Sequence, residues 1–339
     1  MATAARNGSA RGGLDLGGTK IEAVVVDARN NVLGSARRPT PQQGGPPDVA
    51  AALAAAIGEA SGAAGLQPGA LSGVGIGSPG LVDQASGRVS SARNLPGWEG
   101  EFGLGEALSA QLGTPVFVGN DVQVATEAEF RLGAAKEFKS VLGVFWGTGV
   151  GGGLILGGKP WLGRGGAGEI GHMVVQSGGA RCPCGRKGCL EAYAGRAGME
   201  ARARKRAEKG RHTVLFKLME ERGRDRLTSA IWAHALEARD KLAAELIDDA
   251  IEALGVGIAS AVNLLDIEIV VIGGGLGVRF GEPFVKRISE AMLPHLFRDG
   301  EPPLTRVAAL GDLGGAIGAA LLARRTARTG TATYVHKEG

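Results

Sequence analysis

The stretch LDLGGTKIEAVVVD, Leu14 to Asp27, decides the fold. It reads as a short apolar strand, a Gly-Gly turn and a second apolar strand, and NVLGSARR, Asn31 to Arg38, extends it into a third. The same pattern returns in SVLGVFWGTGVGGGLILGGKPW, Ser140 to Trp161. A strand, a Gly/Thr-rich turn and a strand, met twice about 130 residues apart, fit a duplicated βββαβα unit. Glycines let backbone amides face a phosphate without obstruction, and Thr19 adds a hydroxyl donor. Asp15, at the end of the first strand, can hold Mg²⁺ directly or through water. Neither turn is a Walker A loop or a dinucleotide fingerprint, because a strand follows each and not a helix. A plain hairpin turn also favours glycine, so one cluster alone decides nothing. Two in one chain favour phosphate binding, with Asp15, Gly17, Gly18, Thr19 and Lys20 in the first loop and Gly147, Thr148 and Gly149 in the second.

Between and beyond the hairpins the chain alternates helix and strand. Helices are expected over 48–62, 103–112, 122–132, 193–221 and 233–254, the last continuing towards 265. Strands are expected over 71–83, 114–121 and 267–277, and a final helix begins near Asp312. The last of these strands ends in Gly273, Gly274 and Gly275, which either open a gap for a nucleotide or make a tight strand-to-helix turn. FVGND, Phe117 to Asp121, sits where a strand gives way to a helix. Asn120 and Asp121 there are good N-caps. A carboxylate at the C-terminal edge of an α/β sheet is also where ligands sit, and Asp121 can then accept a proton from an attacking hydroxyl. Both readings stay open on these five residues.

Composition narrows the class. Of 339 residues, 44% are hydrophobic and 21% charged, which is globular, and the length suggests two domains. Aromatics at 4% are too few for a base-stacking platform, and a net charge of +4 does not mark a nucleic-acid binder. The run ARARKRAEKGRH, Ala201 to His212, contains Glu208 and follows Glu200, which suits a solvated helix. With no long apolar run and no secretory core in MATAARNGSARGG, the expectation is a cytoplasmic enzyme with no membrane partner.

All three cysteines fall in GHMVVQSGGARCPCGRKGCLE, Gly171 to Glu191. An odd count strands one thiol in any disulfide scheme, and the C-x-C spacing is not that of a thioredoxin-like redox pair. Cys182, Cys184 and Cys189 with His172 make a ligand set suited to closed, tetrahedral, structural Zn²⁺. Glu169 and Glu191 bracket that set, so a metal there would also brace a polar pocket.

Taken together, LDLGGTK, NLPGW, GND, GTGVGGG, GEIGH and CPCGRKGCLE resemble the ROK family of bacterial sugar kinases and repressors, from about Leu14 to Arg325. The resemblance implies an α/β, actin-like and hexokinase-like ATPase fold: two ribonuclease-H-like domains with an interdomain cleft. A small domain over 1–120 would be completed by a C-terminal helix at 312–326, and a large one over 121–311 would carry the zinc loop 172–189. It implies Asp121 as catalytic base, sugar contacts from Asn94, Asn120, Asp121, Glu169, His172 and Glu191, and ATP and Mg²⁺ held by the three glycine loops. His172 would ligate zinc with one ring nitrogen and face sugar with the other. The partners implied are a hexose and ATP, with no nucleic acid, in a homodimer or homotetramer. Repressors of the family carry a DNA-binding segment before the kinase-like part, and thirteen residues before Leu14 are too few for it. Glu169 beside an intact zinc loop is most similar to ATP-dependent glucokinase; fructokinase, mannokinase, N-acetylhexosamine kinase and a non-catalytic sugar sensor are the alternatives.

Overall fold

A computed structural model describes residues 10–92, 95–298 and 300–326. The described chain divides into two compact units. The first holds the residues up to Arg131, 163–166 and those from Leu310 onwards; the second holds 132–162 and 167–309.

In the first unit, strands β1 (Arg11–Leu16), β2 (Lys20–Val26) and β3 (Val32–Pro39) form an antiparallel meander. After helix α1 (Pro46–Ala63), β4 (Val74–Ser78) pairs parallel to β1. The expected strand over 71–83 is thus two, because Pro79 and Gly80 turn the chain into β5 (Leu81–Asp83). With β6 (Arg88–Ser90) and β7 (Glu101–Phe102), neither of them foreseen, β5 makes a small second sheet. Helix α2 (Leu104–Leu112) leads to β8 (Val116–Asn120), parallel to β4, and α3 (Asp121–Leu132) follows without a loop. The main sheet therefore runs β3-β2-β1-β4-β8. One core, including Leu14, Ile21, Leu53, Ile57, Ile76 and Leu104, lies between this sheet and α1 and α2.

The C-terminal helix, Gly314–Thr326, covers the other face of that sheet. It comes so near that a Cβ on Gly13 would run into the Ala316 carbonyl, and one on Gly75 into that of Ala319. Val124 of α3 is buried with Ala319 and Leu322 of this helix. That packing carries the first unit through to Arg131, where the sequence suggested a break at 120.

The second unit repeats the scheme. Strands β9 (Val141–Trp146), β10 (Val150–Leu156) and β11 (Lys159–Pro160) form the meander, and β12 (Ile269–Gly273) pairs parallel to β9. An unforeseen edge strand, β13 (Leu304–Val307), completes the order β11-β10-β9-β12-β13. The two sheets thus share one strand order and one pattern of directions. This is the doubled, actin-like architecture, and the repeat of hairpin motifs is its sequence trace.

The helices of this unit depart in detail from the sequence reading. The stretch over 193–221 is broken into α4 (Leu190–Ala194), α5 (Arg196–Glu208) and α6 (Leu215–Glu221). Helix α7 (Ser229–Glu237) stops short of α8 (Lys241–Leu265), because Asp240 caps the second by accepting from Ala243 N at 2.8 Å. The strand expected over 267–277 ends at Gly273, and α9 (Gly274–Met292) begins at once. Gly281 and Pro283 inside α9 disguise it as a loop, and the helix is kinked there, with Gly281 at φ 63°. Helix α8 supplies the stripe Leu242, Leu246, Ala250, Leu254 and Ile258 to the second core, beside Trp146, Trp232 and Leu276.

Candidate functional site

In the first unit the parallel strands β1, β4 and β8 end together. Asp15 pairs in register with Gly77, Gly77 with Gly119, and Ser78 with Asn120. One edge of the sheet thus carries Asp15, Asn120 and Asp121. Asn120 does the capping: its Oδ1 accepts from Val122 N at 3.1 Å and Gln123 N at 3.2 Å. Asp121 opens α3 and accepts from Val122 N at 2.9 Å. A Cβ at Gly77 would sit 3.3 Å from Asp121 Cα, so a glycine is what lets the helix begin this near β4.

Asp15 retains some solvent contact but is crowded on most sides. Its pKa is pushed up to about 7, first by burial and then by the charge of Asp121; Glu22 adds to this and Lys20 opposes it. A carboxylate at a strand end beside a glycine turn is a hard oxygen donor, and with the Asp121 carboxylate as a charged neighbour the residues fit a divalent cation such as Mg²⁺. Lys20 itself is engaged elsewhere, with Glu22 at 2.8 Å and Asp312 at 3.7 Å.

The first hairpin is held from behind. Thr40 Oγ1 donates to Gly17 O at 2.6 Å, Gln42 Nε2 to Gly18 O at 3.1 Å and Thr40 N to Thr19 O at 3.1 Å. Among the described residues the amides of Gly18 and Thr19 donate to no protein group. The second hairpin, in the second unit, follows the same logic. The carbonyls of Gly147 and Thr148 accept from Arg196 N and Ala197 N, both at 3.1 Å, and the amides of Thr148 and Gly149 are likewise unspent. Loops with carbonyls engaged and amides open suit an anion. Gly273–Gly275 form the β12–α9 junction, and a Cβ at Gly147 would lie 3.7 Å from Gly275 N. Gly274 has φ 79° and a Cβ there would collide with the Trp146 backbone, so these glycines make the tight strand-to-helix turn beside the hairpin.

The remaining expected residues gather in the second unit. Glu169 precedes a short 3-10 turn, Ile170–His172, and its Oε2 lies 3.9 Å from His172 Nε2. The other ring nitrogen, Nδ1, lies 3.8 Å from Cys182 Sγ. Ligand atoms of His172, Cys182, Cys184 and Cys189 all fall within 4.8 Å of one another. Cys184 Sγ and Cys189 Sγ are 3.7 Å apart, the edge expected of a tetrahedron with Zn–S bonds of about 2.3 Å. The donor set therefore fits zinc. The loop is already folded as a small hairpin, with Cys182 N bonded to Arg186 O at 2.8 Å and Gly188 N to Ala180 O at 2.8 Å. A hydrogen bond from Arg186 lowers the Cys184 pKa, while burial raises those of Cys182 and Cys189.

Glu191, in the first turn of α4, joins this cluster to the second hairpin. Its Oε2 accepts from Val150 N at 3.0 Å and its Oε1 lies 3.9 Å from Cys182 Sγ. Asn94 lies outside the described residues. The sequence alone does not mark Thr40 and Gln42, which brace the first loop, or Arg196, which donates to both Thr148 and Ser229. None stands in a glycine or cysteine cluster, and only folding brings them there.

A sequence profile described as the ROK family matches residues 11–326. The chain is 32% identical over 316 residues to a glucokinase of Halalkalibacterium halodurans, covering 92% of this chain and 94% of that one. It is 33% identical over 319 residues to an N-acetylgalactosamine kinase of a Shewanella species, covering 91% and 95%. Among solved structures, a ROK family glucokinase from Streptomyces griseus in complex with glucose and AMPPNP superposes with a TM-score of 0.80 at 31% identity, covering 93% of this chain and 99% of that one.

Proposed function

The chain belongs to the ROK family, and on that premise we propose that it is an ATP-dependent hexose kinase, acting on glucose. The observation that carries the reading is the pair of carboxylates, Asp15 and Asp121, on one strand-end edge beside a turn with unspent amides. Neighbouring carboxylates with different surroundings divide labour. Asp121 accepts the proton of the sugar 6-hydroxyl as that oxygen attacks the γ-phosphorus of ATP. Asp15 is the group to hold Mg²⁺, which when bound neutralises charge on the phosphates. The amides of Gly18, Thr19, Thr148 and Gly149 bind phosphate oxygens, with Lys20 and Gly273–Gly275 completing the loops.

Asn94, Asn120, Glu169, His172 and Glu191 are the sugar contacts in this reading, Asp121 among them. Zn²⁺ bound by His172, Cys182, Cys184 and Cys189 is structural in this reading, because four protein ligands leave it no open position, and it fixes the loop that carries His172 and leads into Glu191. AMPPNP in the Streptomyces griseus complex supports ATP as the donor. No helix among the described residues is long and apolar enough to cross a membrane. The protein works in the cytoplasm as a homodimer or homotetramer on this reading. The Shewanella relative favours an N-acetylhexosamine as the second choice of substrate.

Initial rates with Mg-ATP over a panel of glucose, mannose, fructose, N-acetylglucosamine and N-acetylgalactosamine test the proposal. The rate should peak on glucose, and Asp121→Asn should lower kcat by roughly 10²–10⁴-fold while glucose still binds. Turnover of that variant near the wild-type rate would remove Asp121 from the role. A peak on an N-acetyl sugar would replace glucose by the second choice.

A further inference from the structure

Arg196 is the first residue of α5, and its environment is unusual for a guanidinium. Its Nη2 donates to Thr148 Oγ1 at 2.6 Å and its Nη1 to Ser229 Oγ at 3.1 Å. No carboxylate lies within ion-pair distance of it among the described residues, and burial lowers its pKa without discharging it. Glu200, the nearest acidic influence, is taken by Arg204 and by the Leu227 amide. Arg226 adds a second positive charge to the neighbourhood.

A guanidinium only donates hydrogen bonds. Both hydroxyls must therefore accept from Arg196, which turns their own protons elsewhere. Neither proton meets a protein acceptor among the described residues. Both hydroxyls sit at the glycine turns: Thr148 within the second hairpin, and Ser229 where a Cβ on Gly275 would lie 3.2 Å from its Oγ. The backbone of Arg196 also donates to Gly147 O. One residue thus fixes the hairpin, orients two hydroxyl donors and leaves a positive charge unpaired by any acid.

We propose that Arg196 is a positioning residue for the polyphosphate of the nucleotide, aiming the Thr148 and Ser229 hydroxyls at oxygens of its β- or γ-phosphate. A phosphate is an acceptor-only anion, which is what two outward protons and a spare positive charge require. The inference rests on the reading that the glycine turns take a nucleotide, and it assigns two residues to them, Arg196 and Ser229, which no glycine motif marks.

The test measures Kd for MgATP, MgADP and AMP by calorimetry on the full chain, without sugar, for wild type, Arg196→Gln, Ser229→Ala, Thr148→Val and Thr148→Ser. Arg196→Gln should weaken ATP and ADP by roughly tenfold or more and leave AMP within twofold, since charge-assisted bonds to phosphate are the strong ones. Ser229→Ala and Thr148→Val should show the same pattern more weakly, and Thr148→Ser should restore wild-type affinity. Equal weakening of all three nucleotides would mark Arg196 as merely structural and overturn the proposal, as would unchanged ATP and ADP affinities. A wild-type protein that binds ADP yet phosphorylates no sugar would sink the kinase reading and leave this one standing if the variant pattern holds. Sugar turnover with Arg196→Gln binding ADP normally would do the reverse, and a wild type that binds no nucleotide would end both.

Discussion

Gly149 shows how one hydrogen atom can decide a contact. A Cβ at this position would collide with the carboxylate of Glu191, whose Oε2 is seated on the Val150 amide. The obstacle is the far end of a flexible side chain, so Gly149→Ala should fold while expelling Glu191 from its place. If Glu191 binds sugar, glucose affinity measured without nucleotide should fall by roughly tenfold, about what the loss of one charge-assisted hydrogen bond costs. An unchanged Kd would remove Glu191 from the sugar contacts. The residue scale is also where the sequence spoke least clearly. Asn120 and Asp121 are both good caps by type, and only the structure shows Asn120 taking two helix amides. The glycine and cysteine clusters were legible because their chemistry depends on short spacing. Arg196, 48 residues from Thr148, was not, since its partner is chosen by the packing of α5 against a hairpin.

Among the elements, the junction of β9 and β12 turns on Glu268. Its Oε2 accepts from Ser140 N at 2.6 Å, Lys139 N at 2.8 Å and Ser140 Oγ at 3.0 Å, pinning the start of one strand to the next. The two backbone amides lower the carboxyl pKa in the folded state. The sign follows: a depressed folded pKa stabilises above the unfolded value and that stability is lost as pH falls through the folded one. Glu268 is exposed, so solvent screens its charge, and Glu268→Gln should lower the thermal midpoint at pH 7 by only about 1 °C for roughly 0.3–0.5 kcal/mol, with the gap to wild type closing below about pH 4. A gap that stays constant down to pH 3 would show that charge plays no part. The apolar runs of β2 and β9 and the four-residue spacing of Val49, Leu53 and Ile57 in α1 are legible from their letters. Those missed have a physical reason each. Two-residue β7 and four-residue β13 are too short for a period, and α9 hides Gly281 and Pro283 in its kink. The break between α7 and α8 rests on Arg239 at φ 56° and the Asp240 cap, not on any change in hydrophobicity.

For the whole molecule, the repeated strand order means two sheets that each bury a separate core, with Leu14 and Ile76 in one and Trp146 and Leu254 in the other. The four residues that fit zinc all lie in the second unit, from His172 to Cys189, and the loop they span is followed at once by α4. Leu190 of α4 packs against α8, where a Cβ on Gly257 would lie 2.9 Å from Leu190 Cδ2. A metal that fixes this loop therefore reaches the second core directly and reaches the first through none of its ligands. Metal analysis should find near one zinc per chain, with Cys184→Ser losing it. Hydrogen exchange on the metal-free protein should then show faster amides over 172–194 and along the middle of α8, while β1, β4 and β8 keep their protection. Glucose affinity should fall with the metal, because His172 and Glu191 are positioned by the loop, and ADP affinity should hold. Exchange that accelerates equally in both units would mean that the molecule unfolds as one cooperative body. Unchanged exchange over 172–194 would mean that the hairpin carries itself without zinc, and the cysteines would then need another explanation.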